Sequence, residues 1–151
     1  MNVRRATAND VEAIVAMLAD DELGKTRENY QTPLPAEYRE AFENINADPN
    51  QELIVVESEA AEIVGTLQLS LIQYLTYRGG IRAQIEAVRI RKDQRGHGIG
   101  KMMIEWAINR ARERDAHLIQ LTTDKKRPQA LKFYEELGFK PSHEGMKLHF
   151  R

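Results

Sequence analysis

The apolar residues in the first third of the chain follow the spacing of one short strand and two helices. Residues 2–6 read as a strand, and the apolar positions after them recur every three or four residues. Thr7, Asn9 or Asp10 is expected to cap the first helix, because each carries a side-chain oxygen that can accept from a free helical N–H. The apolar faces comprise Val11, Ile14, Val15 and Leu18 in the first helix and Tyr38, Phe42 and Ile45 in the second.

The middle of the chain contains three predicted strands. Residues 53–57 form an apolar run typical of a buried strand, and a longer strand with leucine at alternate positions starts near Ile63. The pair Gly79 and Gly80 then turns the chain into a strand over residues 84–90, which we expect to be the central one. Its predicted faces are Ile85 with Ala87 and Val88 with Ile90.

The last third of the chain predicts two helices, each followed by a strand. A long helical pattern begins directly after Gly98, a strand covers residues 117–123, and a second helix covers residues 128–137. Residues 139–150 are expected to form a terminal strand or hairpin. Short connections between strands favour antiparallel hairpins, whereas the strand–helix–strand unit over residues 84–123 favours a parallel crossover. The predicted fold class is therefore α/β (α+β), with a central mixed sheet and helices on both faces.

A glycine-rich stretch joins the central strand to the long helix and reads Arg95-Gly96-His97-Gly98-Ile99-Gly100-Lys101. Its glycines let successive main-chain N–H groups point into one concavity, and the helix N-terminus adds positive potential there. Five basic residues against one acidic residue stand between positions 89 and 101, which agrees with a site for an anion, usually a phosphate. The alternative is an ordinary glycine-rich turn between a strand and a helix.

The spacing of this loop excludes two well-known phosphate-binding sequences. A Walker A loop would need a glycine where Arg95 stands and a hydroxyl where Met102 stands. A dinucleotide fingerprint meets Lys101 at its third glycine if it starts at Gly96, and Met103 if it starts at Gly98. What remains is the pattern Arg95-x-x-Gly98-x-Gly100 after an apolar strand.

Composition narrows the class of protein. With 151 residues and 42% hydrophobic content, the chain is expected to be one domain, residues 1–151, with a core of its own. A formal net charge of −1 does not indicate binding to nucleic acid or to an anionic membrane. The absence of cysteine excludes disulfides and thiolate catalysis, and the four histidines lack the spacing of metal ligands, so no metal is expected. No stretch resembles a signal peptide or a membrane span, and we expect a cytoplasmic protein.

In the order in which they stand, these segments resemble the GNAT superfamily of N-acetyltransferases. The resemblance rests on the opening Val-Arg-Arg-Ala-Thr-Ala-Asn-Asp-Val-Glu-Ala-Ile, the loop from Arg95 to Gly100, and Ala-Leu-Lys-Phe-Tyr-Glu-Glu-Leu-Gly-Phe over residues 130–139. The asparagine familiar ahead of the Phe-Tyr helix is missing, and Arg127 and Pro128 stand near its place. The resemblance covers essentially the whole chain and implies a GNAT fold, whose central strand carries a β-bulge and splays from its neighbour.

The resemblance implies that acetyl-CoA, or coenzyme A, binds at the loop as a co-substrate. Main-chain N–H groups of the loop would hold the pyrophosphate, and two basic side chains would add charge-assisted contacts. Main-chain groups of the splayed strand would pair with the pantetheine arm. Arg127 is placed near the adenosine 3′-phosphate, with a solvated surface as the alternative. The implied cofactor-binding residues are Val88, Ile90, Arg95, Gly96, His97, Gly98, Ile99, Gly100, Lys101 and Arg127.

Attack of an amine on a thioester needs a neutral amine, a donor for the oxyanion and an acid for the leaving thiolate. The resemblance implies that Tyr134 of the Phe-Tyr helix is the acid. It also implies that Glu86, two residues before Val88, is the base. The Val88 N–H is the simplest oxyanion donor. The alternatives are a core tyrosine, a solvated or salt-bridged glutamate, and transfer without a dedicated base.

The implied function is acetyl-CoA-dependent N-acetylation of a primary amine, which we expect to belong to a small molecule. The alternatives are acetylation of a protein N-terminus or lysine, and a non-catalytic module that binds acetyl-CoA. Neither nucleic acid nor a membrane is an expected partner, and a homodimer remains open.

The charge pattern gives two hypotheses for the acceptor. Residues 18–43 hold seven acidic and three basic residues, and this negative end would suit a cationic amine, which we favour. These acids could equally be the solvated faces of helices. Residues 120–134 also resemble aminoalkylphosphonate acetyltransferases, whose acceptors carry a negative group.

Overall fold

The computed structural model describes residues 1–151 and has one five-stranded sheet. Strands that follow each other in sequence are neighbours in the sheet, whose order is β1-β2-β3-β4-β5. The first three pairings are antiparallel and only β4 and β5 run parallel, which confirms the predicted mixed sheet. The strands are β1 (Asn2–Arg5), β2 (Gln51–Glu57), β3 (Ile63–Gln73), β4 (Ile81–Ile90) and β5 (Ala116–Gln120).

Six helical segments connect and cover the sheet. Short 3₁₀ turns precede the first helix, at Ala8–Asp10, and the long one, at Lys92–Gln94. No helix combines the length and the apolar character that crossing a bilayer requires. The helices are α1 (Val11–Ala19), α2 (Gly24–Arg27), α3 (Ala36–Ala47), α4 (Thr76–Gly79), α5 (Ile99–Glu113) and α6 (Pro128–Glu136).

Two apolar clusters lie on opposite faces of the sheet. Along β2, Ile54 and Val56 belong to the larger cluster with α5, whereas Val55 packs with α1 and α3. Successive side chains of a strand point to opposite faces, so a strand covered on both sides becomes an unbroken apolar run. In α5, Ile99 and Met103 are both buried against the sheet, which agrees with the helical pattern predicted after Gly98.

A β-bulge interrupts the pairing of β4 with β3. Thr66 pairs with Arg89 but Gln68 pairs with Glu86, so the single residue between Thr66 and Gln68 lies opposite two residues of β4. Ala87, one of these two, has a φ of 55°. This agrees with the bulge that the GNAT resemblance implied.

The bulge overturns the predicted faces of β4, which is the fourth of the five strands and not the central one that the sequence predicted. Val88 and Ile90 pack against the same cluster as Ile85, on the side of α5, whereas Ala87 lines a cavity beneath α1 and α3. The assignment of Val88 and Ile90 to the face opposite Ile85 was wrong, because one extra residue reverses the alternation beyond it.

As predicted, β4 also splays from β5. Their pairing ends at Gln84 opposite Gln120, so residues 85–90 of β4 have no strand on that side. β5 itself ends at Gln120 rather than at residue 123. The strands thus leave a gap between them next to the glycine-rich loop.

The predicted terminal strand or hairpin is absent. No strand follows α6, and the last part of the chain, residues 144–151, is exposed; we call it the C-terminal arm. Its alternating apolar residues Met146, Leu148 and Phe150 are 93%, 82% and 95% exposed. Alternation indicates a chain suited to a strand, but a strand also needs a neighbour to pair with, and the arm has none within its own chain.

An ion pair that the sequence did not indicate attaches the first helix to the sheet. The buried Asp10 carboxylate accepts from two nitrogens of Arg4, at 2.7 and 3.0 Å, and from the Thr7 N–H at 2.7 Å. The hydrogen bonds from Arg4 lower the pKa of Asp10, burial acts against them, and the Thr7 N–H lowers it further. Thr7 and Asp10, two of the three expected caps, therefore act together.

We expect Asp10→Asn to lower the free energy of unfolding by about 1–3 kcal/mol, because Arg4 loses a charged partner. The contribution of the carboxylate is complete above its unfolded pKa near 3.8 and is lost as the pH falls through the lower folded value. Denaturant titrations at pH 7 and pH 3 should therefore show a difference between variant and wild type that shrinks in acid. The exposed Glu12 of α1 provides the control, Glu12→Gln. An Asp10→Asn effect independent of pH would contradict this account.

Candidate functional site

The glycine-rich loop presents a continuous row of main-chain donors. None of the N–H groups from Arg95 through Lys101 donates to a protein acceptor, and the first helical hydrogen bond runs from the Met102 N–H to the Gly98 carbonyl. Such a row at the start of a fifteen-residue helix is suited to an anion with several oxygens. The predicted anion site therefore has the donors that its chemistry requires.

Two glycines of the loop are needed for different reasons. Gly98 has a φ of 81°, a conformation that costs other residues energy, and no atom lies within 4 Å of the place where a Cβ would be. At Gly100 a Cβ would lie 3.1 Å from Ile90 Cδ1 and 3.4 Å from Phe133 Cζ. Gly98 thus shapes the loop, whereas Gly100 lets α5 approach β4 and α6 closely.

Most basic residues near the loop are already paired. Arg91 contacts Asp93 at 2.6 Å and Glu62 at 3.1 Å, and Lys101 lies 3.9 Å from Glu105. Arg95 has no carboxylate partner and donates to the Ile90 carbonyl at 3.3 Å. The row of N–H groups, more than net positive charge, is therefore the main anion-binding feature of the loop.

The open edge of β4 presents main-chain groups to the gap between β4 and β5. The Arg91 N–H pairs with Val64 of β3, so by the alternation of antiparallel pairing Ile90 and Val88 face away from β3. The Val88 carbonyl accepts from Arg89 Nη1 at 2.8 Å, and the Ile90 carbonyl accepts from Arg95. Both carbonyls thus lie on the open side, as predicted, but side chains of the protein contact them.

Tyr134 lies on α6, where its ring packs between two other aromatic rings. Ring centroids are 5.1 Å from Phe133 and 5.9 Å from Phe139, both in edge-on geometry. Burial raises the pKa of Tyr134, and the charges of Arg89 and Arg127 partly oppose this. The phenol is therefore neutral at physiological pH and carries the proton that a general acid must donate.

Glu86 has an exposed side chain on β4 at the bulge. It lies opposite Gln68, which lines the cavity beneath α1 and α3, so Glu86 belongs to the same face of the sheet. Its Oε1 accepts from Gln84 Nε2 at 3.0 Å, and Gln84 in turn accepts from Gln120 at 2.8 Å. This amide chain holds Glu86 at the start of the splayed segment.

A cluster of partly buried charges, which the sequence analysis did not predict, lies on the same face. Arg89, opposite Thr66, has its Nε 2.7 Å from Asp21 Oδ2, and Arg127 Nη2 lies 3.1 Å from the same oxygen. In the structure Arg127 is therefore paired with Asp21. Binding of a cofactor phosphate by Arg127 stays a prediction. The available signal was an arginine between two apolar strand residues, Val88 and Ile90, which places it on the face opposite theirs.

The cavity beneath α1 and α3 has a volume of about 140 Å³. Apolar side chains of both helices form its roof, and Thr66, Gln68 and Ala87 contribute to its floor. It opens beside the bulge, so the face of β4 that carries Glu86 and Arg89 also has room for a small apolar group.

The predicted site residues lie around β4. Besides Arg127, two of them differ from the prediction in what they can offer to a ligand. The Ile99 side chain is buried in the core, so only its N–H can serve a ligand. His97 is an exposed loop residue whose Nδ1 lies 3.1 Å from the Gln94 carbonyl oxygen. No group of three or more His, Cys, Asp or Glu side chains is arranged to hold a metal ion.

A bulged strand with one open edge, next to a helix N-terminus with free N–H groups, defines an acetyltransferase type of fold and site. The chain belongs to the acetyltransferase (GNAT) family, whose model matches residues 15–139. This confirms the resemblance seen in the sequence.

Named relatives agree with this family. An aminoalkylphosphonate N-acetyltransferase of Salmonella typhimurium is 30% identical over 141 residues, which are 93% of this chain and 86% of the relative. An L-methionine sulfoximine/L-methionine sulfone acetyltransferase of Pseudomonas aeruginosa is 27% identical over 145 residues, 93% and 81% of the two chains. The crystal structure of a transcriptional regulator from Bacillus halodurans C-125 is 57% identical, with a TM-score of 0.96 over 99% of both chains.

We expect Gly98→Ala to weaken binding of coenzyme A by at least about tenfold, because the new Cβ strains the loop that aligns the N–H groups. Gly79 provides a matched control, since it has a φ of 78° and equally open space but lies in α4. Titration calorimetry should show normal affinity for Gly79→Ala, and both variants should lose similar stability. Equal affinities of the two variants would contradict a role for the loop conformation in binding.

Proposed function

We propose that this acetyltransferase takes its acetyl group from acetyl-CoA and transfers it directly to the primary amine of a small molecule. The observation that carries the proposal is the continuous row of free N–H groups beside the open edge of β4. A diphosphate offers several oxygens to the row, and a pantetheine arm offers amides to a strand edge. Acetyl-CoA has both parts, whereas a free nucleotide lacks the second.

The residues of the chain fit the binding of this co-substrate. The N–H groups from Arg95 to Lys101 would hold the pyrophosphate, and Arg95 would add a charge-assisted contact. Val88 and Ile90 would pair with the pantetheine amides once their carbonyls exchange the arginine contacts for the ligand. The thioester supplies an activated acetyl group.

The proposed transfer joins the amine nitrogen to the thioester carbonyl carbon and breaks the carbon–sulfur bond. The Val88 N–H stabilises the oxyanion that forms between these steps. Tyr134 donates its phenolic proton to the leaving sulfur, and its buried position keeps that proton in place until the sulfur becomes basic.

Glu86 is the proposed acceptor of the proton that the amine loses. Free alkylamines have pKa values of about 10, so most molecules arrive protonated near neutral pH and a base is useful. The exposed carboxylate can reach the amine through a water molecule, and the proton then passes to solvent.

A small-molecule acceptor is supported by the relatives, which act on aminoalkylphosphonates and on methionine sulfoximine or sulfone. The name of the Bacillus structure suggests a regulator of transcription. The net charge of −1 does not favour that function for this chain, because binding to nucleic acid depends mainly on positive charge. We also propose that residues 1–151 act as one acetyltransferase domain.

Acetyl-CoA should stabilise the protein against heat by mass action. At about 100 times its dissociation constant it should add ~2.7 kcal/mol, which corresponds to roughly 5–10 °C for a chain of this size. NADH at equal concentration should have little effect, because it has a diphosphate but no pantetheine arm. A larger shift with NADH would contradict the proposed co-substrate. Release of free coenzyme A in the presence of amines separates an enzyme from a module that only binds.

Tyr134→Phe should lower kcat by about 10²- to 10⁴-fold while sparing the affinity for acetyl-CoA, because only the leaving thiolate needs the hydroxyl. The rate should be measured in single turnovers, because these report the transfer step itself and not product release. Tyr74→Phe, which removes a hydroxyl from the connection between β3 and β4, provides the control. An unchanged transfer rate in Tyr134→Phe would assign the ring to packing alone.

A further inference from the structure

The charged cluster of Asp21, Arg89 and Arg127 contains more positive than negative charge. Both guanidinium groups contact the same oxygen, Asp21 Oδ2, and the other oxygen accepts from the Gly24 N–H. The charge of Arg27, on α2, also acts on Arg89. One carboxylate is therefore paired with two arginines, and the charge of a third arginine also acts on the cluster.

The cluster is only partly shielded from solvent and is incompletely paired. The side chains of Asp21 and Arg89 are 12% and 14% exposed, whereas that of Arg127 is 37% exposed and gives a ligand access to the cluster. Asp21 Oδ2 and Arg89 Nε are 2.7 Å apart, yet neither atom makes a well-aligned hydrogen bond. Burial lowers the pKa of Arg89, the charge of Asp21 opposes this, and the charges of Arg127 and Arg27 lower the pKa further. Buried positive charge with unused donors is a favourable place for an anion.

The cluster lies beside the groups proposed for catalysis. Arg89 and Glu86 belong to the same face of β4, separated by the bulge, and Arg89 Nη1 donates to the carbonyl of Val88. Arg89 and Arg127 are also the two charges that act on the Tyr134 phenol. A group bound by these arginines would thus belong to a molecule that reaches the reaction centre.

We propose that the acceptor is an amine that also carries an anionic group, a carboxylate or a phosphonate, and that Arg89 and Arg127 bind this group. This inference rests on the proposed function and specifies its substrate class. Arginine suits the role because its planar fork donates two parallel N–H bonds to an oxyanion. Asp21 then serves to position both guanidinium groups.

The same geometry opposes the cationic acceptor that the sequence favoured. Asp21 faces two arginines, and Glu28 accepts from the Tyr38 hydroxyl at 3.0 Å. The remaining acids of residues 18–43 are exposed to solvent and form no negative pocket. They are Asp20, Glu22, Glu37, Glu40 and Glu43.

The test compares four amines of similar length as acceptors for acetyl-CoA: 2-aminoethylphosphonate, β-alanine, propylamine and 1,3-diaminopropane. We expect kcat/KM for at least one anionic amine to exceed that for propylamine by about tenfold or more. Comparison of 2-aminoethylphosphonate with β-alanine shows whether the site prefers a phosphonate or a carboxylate. In Arg127→Met the ratio of kcat/KM for the anionic amine to kcat/KM for propylamine should fall towards one, because only the anionic amine loses a partner, whereas any effect on acetyl-CoA is common to both amines. Arg89→Met should do the same if it folds, and the exposed Arg112 provides the control, Arg112→Gln.

The outcomes separate this inference from the proposed function. Turnover that is equal or faster with propylamine or the diamine would overturn the anionic acceptor and leave the acetyltransferase intact. An anion preference that survives in Arg127→Met and Arg89→Met would place the anion elsewhere and also overturn the inference. No turnover with any amine would overturn the proposed function, and the acceptor class with it.

Discussion

The β-bulge at Ala87 determines what each face of β4 offers to a ligand. Ile85 before the bulge and Val88 and Ile90 after it face α5. Glu86 before the bulge and Arg89 after it face α1 and α3. Without the extra residue Val88 and Arg89 would exchange faces, because a one-residue change moves every later side chain of a strand to the other side. Arg89 would then enter the apolar cluster beneath α5, and Asp21 would lose its nearest cation. The charged cluster thus exists only because the strand is bulged.

The bulge costs conformational energy that the surrounding structure must offset. An alanine with a φ of 55° carries a penalty of about 1–2 kcal/mol, since its Cβ approaches the next carbonyl. Two contacts beyond the bulge stabilise it: the ion pair of Arg89 with Asp21, and the packing of Val88 and Ile90 against the core. The strain is therefore held by long-range contacts, and it lies where the strand must separate from β5.

Sequence patterns predicted the parts of the molecule that depend on local periodicity. The apolar faces of the first two predicted helices, the mixed strand directions and the glycine-rich loop follow from spacing alone, and the structure agrees with them. The bulge was implied by the family resemblance alone, and its position was not predicted, because an alanine with positive φ leaves no sequence signal. The prediction of a strand in the C-terminal arm was wrong for a related reason. Alternation shows that a segment can be a strand but not which edge it pairs with. The pairing of Asp21 with Arg89 joins residues 68 positions apart, a distance at which charge patterns along the sequence carry no information.

The two halves of the candidate site differ in how readily a sequence shows them, and the difference has a physical basis. The loop and the open edge of β4 are made of main-chain groups, so their signature is a spacing of glycines within a few residues. The proposed acceptor side consists of side chains from β4, from the connection between α1 and α2, and from α6 and the residue before it, which only the fold brings together. A family can therefore be identified from the first half, while the substrate depends on the second. That is why the acidic residues of the N-terminal segment suggested a cationic acceptor, and why their solvation, together with the arginines at the bulge, points to an anionic one.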